Sequence, residues 1–195
     1  MTTKQTGLAS TPLLRATLIA MLAYLPHIAL AEPADRDQPV RIKSSTSFTD
    51  DRSKTQVYQG NVILTQGTRQ ILTDKLEVKE DPDGYYQGVA TGGAGGLAHF
   101  REKQEGRNEY IEGEAERIEF DTRSEKAKLF ERAHIKKSDG DVRGRYIERD
   151  GYSETFRVTN GPNGTSISGG EQTEVILQPK PKATTKNTNK EPSKP

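Results

Sequence analysis

Cysteine is absent from this 195-residue chain, tryptophan is absent as well, and aromatic residues make up only 6% of it. Without cysteine there is no disulfide framework, thiol nucleophile or cysteine-based metal site. The fold must therefore be held by packing and backbone pairing, and packing material is scarce, because 31% of the residues are hydrophobic. A membrane-spanning run is also missing. The most apolar stretch, residues 16–25, is about half of the ~20 residues a bilayer span requires. Lys4 and Arg15 precede or open it with no acid nearby, Pro26 breaks it, and Ala29-Leu30-Ala31 supplies a small-x-small pattern. The chain reads as exported, with a cleaved signal over residues 1–31 and cleavage after Ala31.

An excess of charge of either sign is lacking too. Lys and Arg number 29 against 28 Asp and Glu, and removal of residues 1–31 leaves 27 against 28. Residues 179–195 hold Lys180, Lys182, Lys186, Lys190 and Lys194 against Glu191, a composition expected of a disordered Lys/Pro-rich tail. The body over residues 32–178, of a size fitting one domain, is mildly acidic. A nucleic-acid partner is disfavoured, since phosphate neutralisation needs a basic face.

Catalytic signatures are missing in turn. His99 and His134 each stand alone on a short extended segment, whereas a zinc site needs three or four converging ligands. There is no Gly-x-Ser-x-Gly elbow and no Gly-Lys-Ser/Thr phosphate loop, and "GGAGG" at 92–96 does not open a helix after a strand. That glycine run is expected to be a flexible connection. Acid pairs such as Glu112 and Glu114, or Glu116 and Glu119, read as solvated positions on an outer face. The reading is of a non-enzyme, without metal or cofactor.

What the chain does have is period-two alternation. In "YQGNVIL", Tyr58, Gly60, Val62 and Leu64 share one face; "VRIKSSTSF" sets Val40 and Ile42 against Arg41 and Lys43. Similar segments follow at "RQIL", "DKLEV", "YYQGVA", "LAHF", "EYIEG", "ERIEF", "AKLFERAHIKK", "VRGRYIERD", "ETFRV" and "EVILQ". They are separated by turn chemistry at Asp81-Pro82-Asp83-Gly84, Ser138-Asp139-Gly140, Asp150-Gly151 and 160–164. Many short strands at close spacing predict an antiparallel all-β sandwich, roll or barrel. "NEYIEGEAERIEF" can also be drawn as an amphipathic helix, against which stand Gly113 and its β-branched and aromatic neighbours.

A displacement of 71 residues superimposes parts of this pattern without a gap. Asp50, Arg52 and Ser53 fall on Asp121, Arg123 and Ser124; Tyr58, Val62, Leu64, Ile71 and Leu76 fall on Leu129, Ala133, Ile135, Val142 and Ile147. A repeated hairpin unit that cannot bury its apolar face alone indicates stacked β architecture. Two interiors fit the alternation equally: an ordinary filled core serving protein partners only, or a partly filled roll with a groove for acyl chains.

The segments "DRDQPVRIKS", "YQGNVILTQGTRQILTDKLEV" and "GRNEYIEGEAERIEFDTRSEKAKLFERAHIKKSDGDVRGRYIE" resemble, in order and spacing, the OstA-like family of periplasmic lipopolysaccharide-export proteins. The resemblance implies an open, twisted antiparallel β-jelly-roll in the periplasm. Such a roll would bind lipopolysaccharide through its lipid A chains, associate head to tail with itself, and bridge LptC-like and LptD-like OstA domains. It places Val40 and Ile42 in an inward first strand, Phe100 after a central loop, and Phe120 as an inward aromatic beside Ile118. With the alternating set, the expected lipid-facing residues are Val40, Ile42, Tyr58, Val62, Leu64, Ile71, Leu76, Phe100, Ile118, Phe120, Leu129, Ala133, Ile135 and Ile147, with Asn61 and Gln66 meeting water. The expected docking strands carry Val40, Arg41 and Ile42 at one end and Val175, Ile176 and Leu177 at the other. Two departures stand out: Glu131 replaces the glycine of the family's "GN", at the strand's end or the groove's mouth, and "GGAGG" differs from the family's central loop.

Overall fold

A computed structural model describes residues 35–104 and 106–179; the expected signal segment over residues 1–31 and the expected tail beyond 179 lie outside the described residues. Twelve strands form one antiparallel hydrogen-bonded ladder: β1 (Arg41–Lys43), β2 (Thr46–Asp50), β3 (Thr55–Gln66), β4 (Arg69–Glu80), β5 (Tyr86–Thr91), β6 (Ala98–Lys103), β7 (Tyr110–Ala115), β8 (Arg117–Asp121), β9 (Lys126–Lys137), β10 (Gly140–Asp150), β11 (Thr155–Thr159) and β12 (Glu174–Leu177). The all-β expectation holds, and the segment open to a helical drawing is β7 and β8. "VRIKSSTSF" is not one strand but two, broken at Ser44-Ser45, while "RQIL" and "DKLEV" are one strand, β4.

The four long strands each bend and serve two arms. One arm runs β2-β3-β4-β5-β8-β9-β10-β11 and the other β1-β3-β4-β6-β7-β9-β10-β12. Because β4 pairs with both β5 and β6, and β9 with both β8 and β7, six strands close a ring in the middle of the stack. The two ends remain open, edged by β1 with β2 and by β11 with β12.

The bend has a local cause. Opposite Asp74, β3 carries two residues, Gly60 and Asn61, both at positive φ, the geometry of a bulge that turns a strand. Glycine is needed at 60 because a Cβ there would lie 2.7 Å from Ser45 Oγ as well as occupy φ +80°. Seventy-one residues on, β9 repeats the bulge with Glu131 and Arg132 at φ 55° and 48° opposite Arg145. Here side chains replace glycine's freedom. Arg145 donates to both Glu131 oxygens at 2.8 and 2.9 Å, and Arg132 Nε donates to Glu116 at 2.7 Å. Glu131 thus lies on the outside of the bend, at neither the strand's end nor the groove's mouth, and the Arg145 hydrogen bonds hold its carboxyl below the usual range. The glycine run is the same corner between β5 and β6. It is a tight turn rather than a loose connection, with Gly96 N bonded to Gly93 O at 2.9 Å and buried Thr73 Oγ1 2.8 Å from Thr91 O.

Three hairpins on the opposite side use one turn. Asp50, Asp121 and Asp150 each accept hydrogen bonds from the backbone N–H groups two and three residues on, and Lys54, Glu125 and Glu154 follow at positive φ. The Ser53 hydroxyl, the Ser124 amide and the Ser153 amide respectively are the main reasons these carboxyls sit below their ordinary range. The unfolded chain therefore takes up these protons first as pH falls, so the turns' contribution is complete above about pH 4 and is lost below it. The urea midpoint is expected to stay level from neutral pH to about pH 5 and fall below pH 4, and an Asp50→Asn, Asp121→Asn, Asp150→Asn variant to lose part of that slope, the rest belonging to Asp81, Glu131 and Glu148, which are also held below their ordinary range. An equally steep fall in the triple variant would remove these turns as its source.

Candidate functional site

The inward faces of both arms share one apolar cluster, and its two parts differ. Val62, Leu76, Leu129, Ala133, Ile135 and Ile147 are at most 2% exposed, packed with Ala90, Ala98 and Ala115. Alanines on β5, β6 and β7 let larger side chains from β3, β4, β9 and β10 fill the space near the bend. These six expected lipid-facing residues instead form a filled core, because the arms converge there.

Farther from the bend the arms diverge around a cavity of about 890 Å³, near the upper part of the roughly 300–1,000 Å³ usual for small-molecule sites. Val40, Ile42, Tyr58, Leu64, Ile71, Phe100, Ile118 and Phe120 line it, together with Val78 and Ala127. The two phenylalanines are positioned by glycines directly across the ladder. Phe120 pairs with Gly88 and Phe100 with Gly113, and a Cβ on either glycine would run into the facing ring. In the sequence Gly113 counted only against a helix, and Gly88 was one position of the extended segment "YYQGVA". Gln66, expected to meet water, lines the cavity instead and its Nε2 donates to the carbonyls of Arg36 and Gln38, both at 3.2 Å; Asn61 is exposed at the bend.

Polar groups collect at the cavity's far limit. Arg69 Nε donates to Glu102 at 2.9 Å and its Nη2 to Glu125 at 3.4 Å, while Arg149 pairs with Glu102 from the opposite arm. Burial works against the Arg69 charge, and the two glutamates more than offset it, raising its pKa above the ordinary arginine value. Sequence reading passed over this network, since each bonded pair in it lies 33 or more positions apart in the chain and two of the three pairs form only across the arms.

On the outer face, His99 Nδ1 and His134 Nδ1 approach the two oxygens of Glu114 at 3.3 and 3.4 Å, and His134 Nε2 lies 3.2 Å from Asp141. The histidines are thus joined through one carboxylate, which their separate strands concealed. No group of three or more His, Cys, Asp or Glu positioned to hold a metal ion occurs among the described residues.

Of the expected docking residues, Arg41 and Ile42 lie in β1 with Val40 just before it, and Val175, Ile176 and Leu177 lie in β12, at opposite ends of the stack. Val40, Val175 and Leu177 are 48%, 56% and 80% exposed. Each end has a second edge strand that the sequence reading did not single out, β2 with Phe48 at 66% exposure and β11.

The described residues form an antiparallel β-stack with open ends, built around an apolar groove. Residues 41–155, from β1 to the first residue of β11, match the family described as LptA/(LptD N-terminal domain) LPS transport protein, and the chain belongs to that family. It is similar to the lipopolysaccharide export system protein LptH of Pseudomonas aeruginosa, with 24% identity over 156 residues, 80% of this chain and 88% of that protein. It is 30% identical to the lipopolysaccharide export system protein LptA of Escherichia coli K12 over 116 residues, 60% of this chain and 62% of that one. In fold it resembles the crystal structure of LptH, the LptA-homologous periplasmic component of the lipopolysaccharide transport device of P. aeruginosa. The TM-score is 0.67 at 20% identity, over 75% of this chain and all of that one.

Proposed function

We propose that this protein is a non-enzymatic periplasmic carrier of lipopolysaccharide, an open-ended β-jelly-roll that holds lipid A chains in the groove between its arms. It bridges an LptC-like domain on the inner-membrane side and an LptD-like domain on the outer-membrane side, and associates with itself head to tail. The observation that carries the reading is the divided interior: a filled core at the bend, and beside it an apolar cavity that eight of the fourteen expected residues line. Burial of acyl chains there gains roughly 0.8 kcal/mol per methylene, so retention needs no covalent chemistry. The open ends supply the assembly surfaces. Unpaired edge strands are an aggregation hazard unless a partner completes them, and β1 with β2 and β11 with β12 each offer an unpaired edge for added strands.

Native mass spectrometry of the mature chain, with and without added lipopolysaccharide, tests this. Lipid A-bearing adducts, especially on head-to-tail oligomers, are the expected result. A monomer that never takes up lipopolysaccharide would favour the filled-core interaction domain.

A further inference from the structure

We propose that Arg69 and Arg149 form a site for the phosphate group of an amphiphile at the far limit of the groove, and that Glu125 is the internal carboxylate which that phosphate displaces. The inference rests on the lipid-groove reading and adds to it a polar recognition element. Arg69 and Glu102 lie on the arm containing β6, whereas Arg149 and Glu125 lie on the other, so the Arg69–Glu125 and Glu102–Arg149 pairs both cross between the arms. The side chains of Glu102 and Arg149 are 8% and 12% exposed. An ion network this deep is a poor device for stability, because desolvation of the charges consumes most of their attraction and apolar side chains of similar volume serve as well or better. Its retention beside Ile71 and Phe100 calls for another use of the charges.

The donor geometry indicates that use. Guanidinium forks suit phosphate oxygens, which they bind with two parallel hydrogen bonds. Arg149 Nε is buried and has no acceptor, so this fork is not fully spent. Arg69 Nη2 is engaged only at 3.4 Å, by a glutamate in the β8–β9 turn rather than on a strand. Glu102 binds both arginines and orients them; Glu125, at a hairpin tip, can swing toward water and leave Arg69 Nη2 to a phosphate. Arg36 and Lys126 line the same cavity, balanced by Asp37 and Asp121, so displacement of Glu125 leaves the lining with one net positive charge for the incoming anion.

The test compares capture of purified diphosphoryl lipid A and of fully dephosphorylated lipid A by the mature chain, followed by native mass spectrometry, with urea midpoints measured for every variant. The wild-type chain is expected to favour the diphosphoryl probe by about tenfold, the order of one charge-assisted contact. Arg69→Met is expected to abolish that preference, and Glu125→Gln, at a turn, to increase capture of the diphosphoryl probe several-fold. Equal capture of the two probes by the wild type, or a preference unchanged in Arg69→Met, overturns the site while leaving the groove reading intact. Capture of neither probe by any chain overturns both. If Arg69→Met fails to fold, Glu125→Gln decides alone, with unchanged capture counting against the site. Inorganic phosphate raising the urea midpoint as far as lipid does would assign the arginines to a free anion and overturn the amphiphile.

Discussion

Replacing Gly113 with valine is expected to destabilise the fold by about 2 kcal/mol, the middle of the range for overpacking, since the Phe100 ring it meets also borders the cavity. Gly113 is buried in the middle of β7, paired with Phe100 on one side and Ile135 on the other. Its missing side chain is the seat of the Phe100 ring, since a Cβ would stand 2.0 Å from the ring's edge. Neither flanking strand can withdraw, because β6 and β9, like β7 itself, are members of the closed ring. Against a total stability of roughly 5–15 kcal/mol, the loss should appear as a large fall in urea midpoint at unchanged slope. Phe100→Leu in the same chain should recover more than about 1 kcal/mol of it through direct coupling. Independent, additive effects would show that the ring does not rest on Gly113.

The second large effect separates the two parts of the interior. Leu129→Ala, at a side chain with 0% exposure beside the bend, is expected to reduce stability by about 3 kcal/mol through lost transfer energy and a residual cavity. Lipid capture should change little. Ile42→Asp is expected to do the reverse: Ile42 lies half-buried on the edge strand β1, opposite Leu64, and lines the cavity. A carboxylate there can reach water at the open end with little damage to the fold. It should nevertheless weaken capture of lipopolysaccharide by about tenfold or more, because acyl chains would have to strip its hydration. A large loss of capture in Leu129→Ala at temperatures where it remains folded would mean that lipid enters the bend region and that the interior is not divided as described.

These residues also show what sequence could and could not convey. Alternation identifies an inward side chain correctly whether it ends in a filled core or a groove wall, so Leu129 and Ile42 were read alike. Only the divergence of the arms, a property of the bend, tells them apart. The 71-residue displacement did hold information about that bend: β3 and β9 coincide under it, as do their bulges at Gly60-Asn61 and Glu131-Arg132 and the aspartate turns before them. Glu131 was misleading because the rule relating positive φ to glycine is a local one, and here a bidentate arginine from the next strand offsets the strain. The Arg69, Glu102, Glu125 and Arg149 network and the His99–Glu114–His134 bridge were beyond reach for a related reason. Each depends on which strands become neighbours, and no single segment records that.

The ring formed by β4, β5, β8, β9, β7 and β6 carries a consequence for how the molecule exchanges with its surroundings. Amide protons in these strands are paired on both sides and are released only when the whole ring opens, whereas those of β1, β2, β11 and β12 are freed by fraying of one ladder. Hydrogen exchange should therefore span a steep gradient from nearly global opening at the centre to small local openings at both ends. The protein can detach and re-form its terminal ladders many times within the lifetime of one central fold.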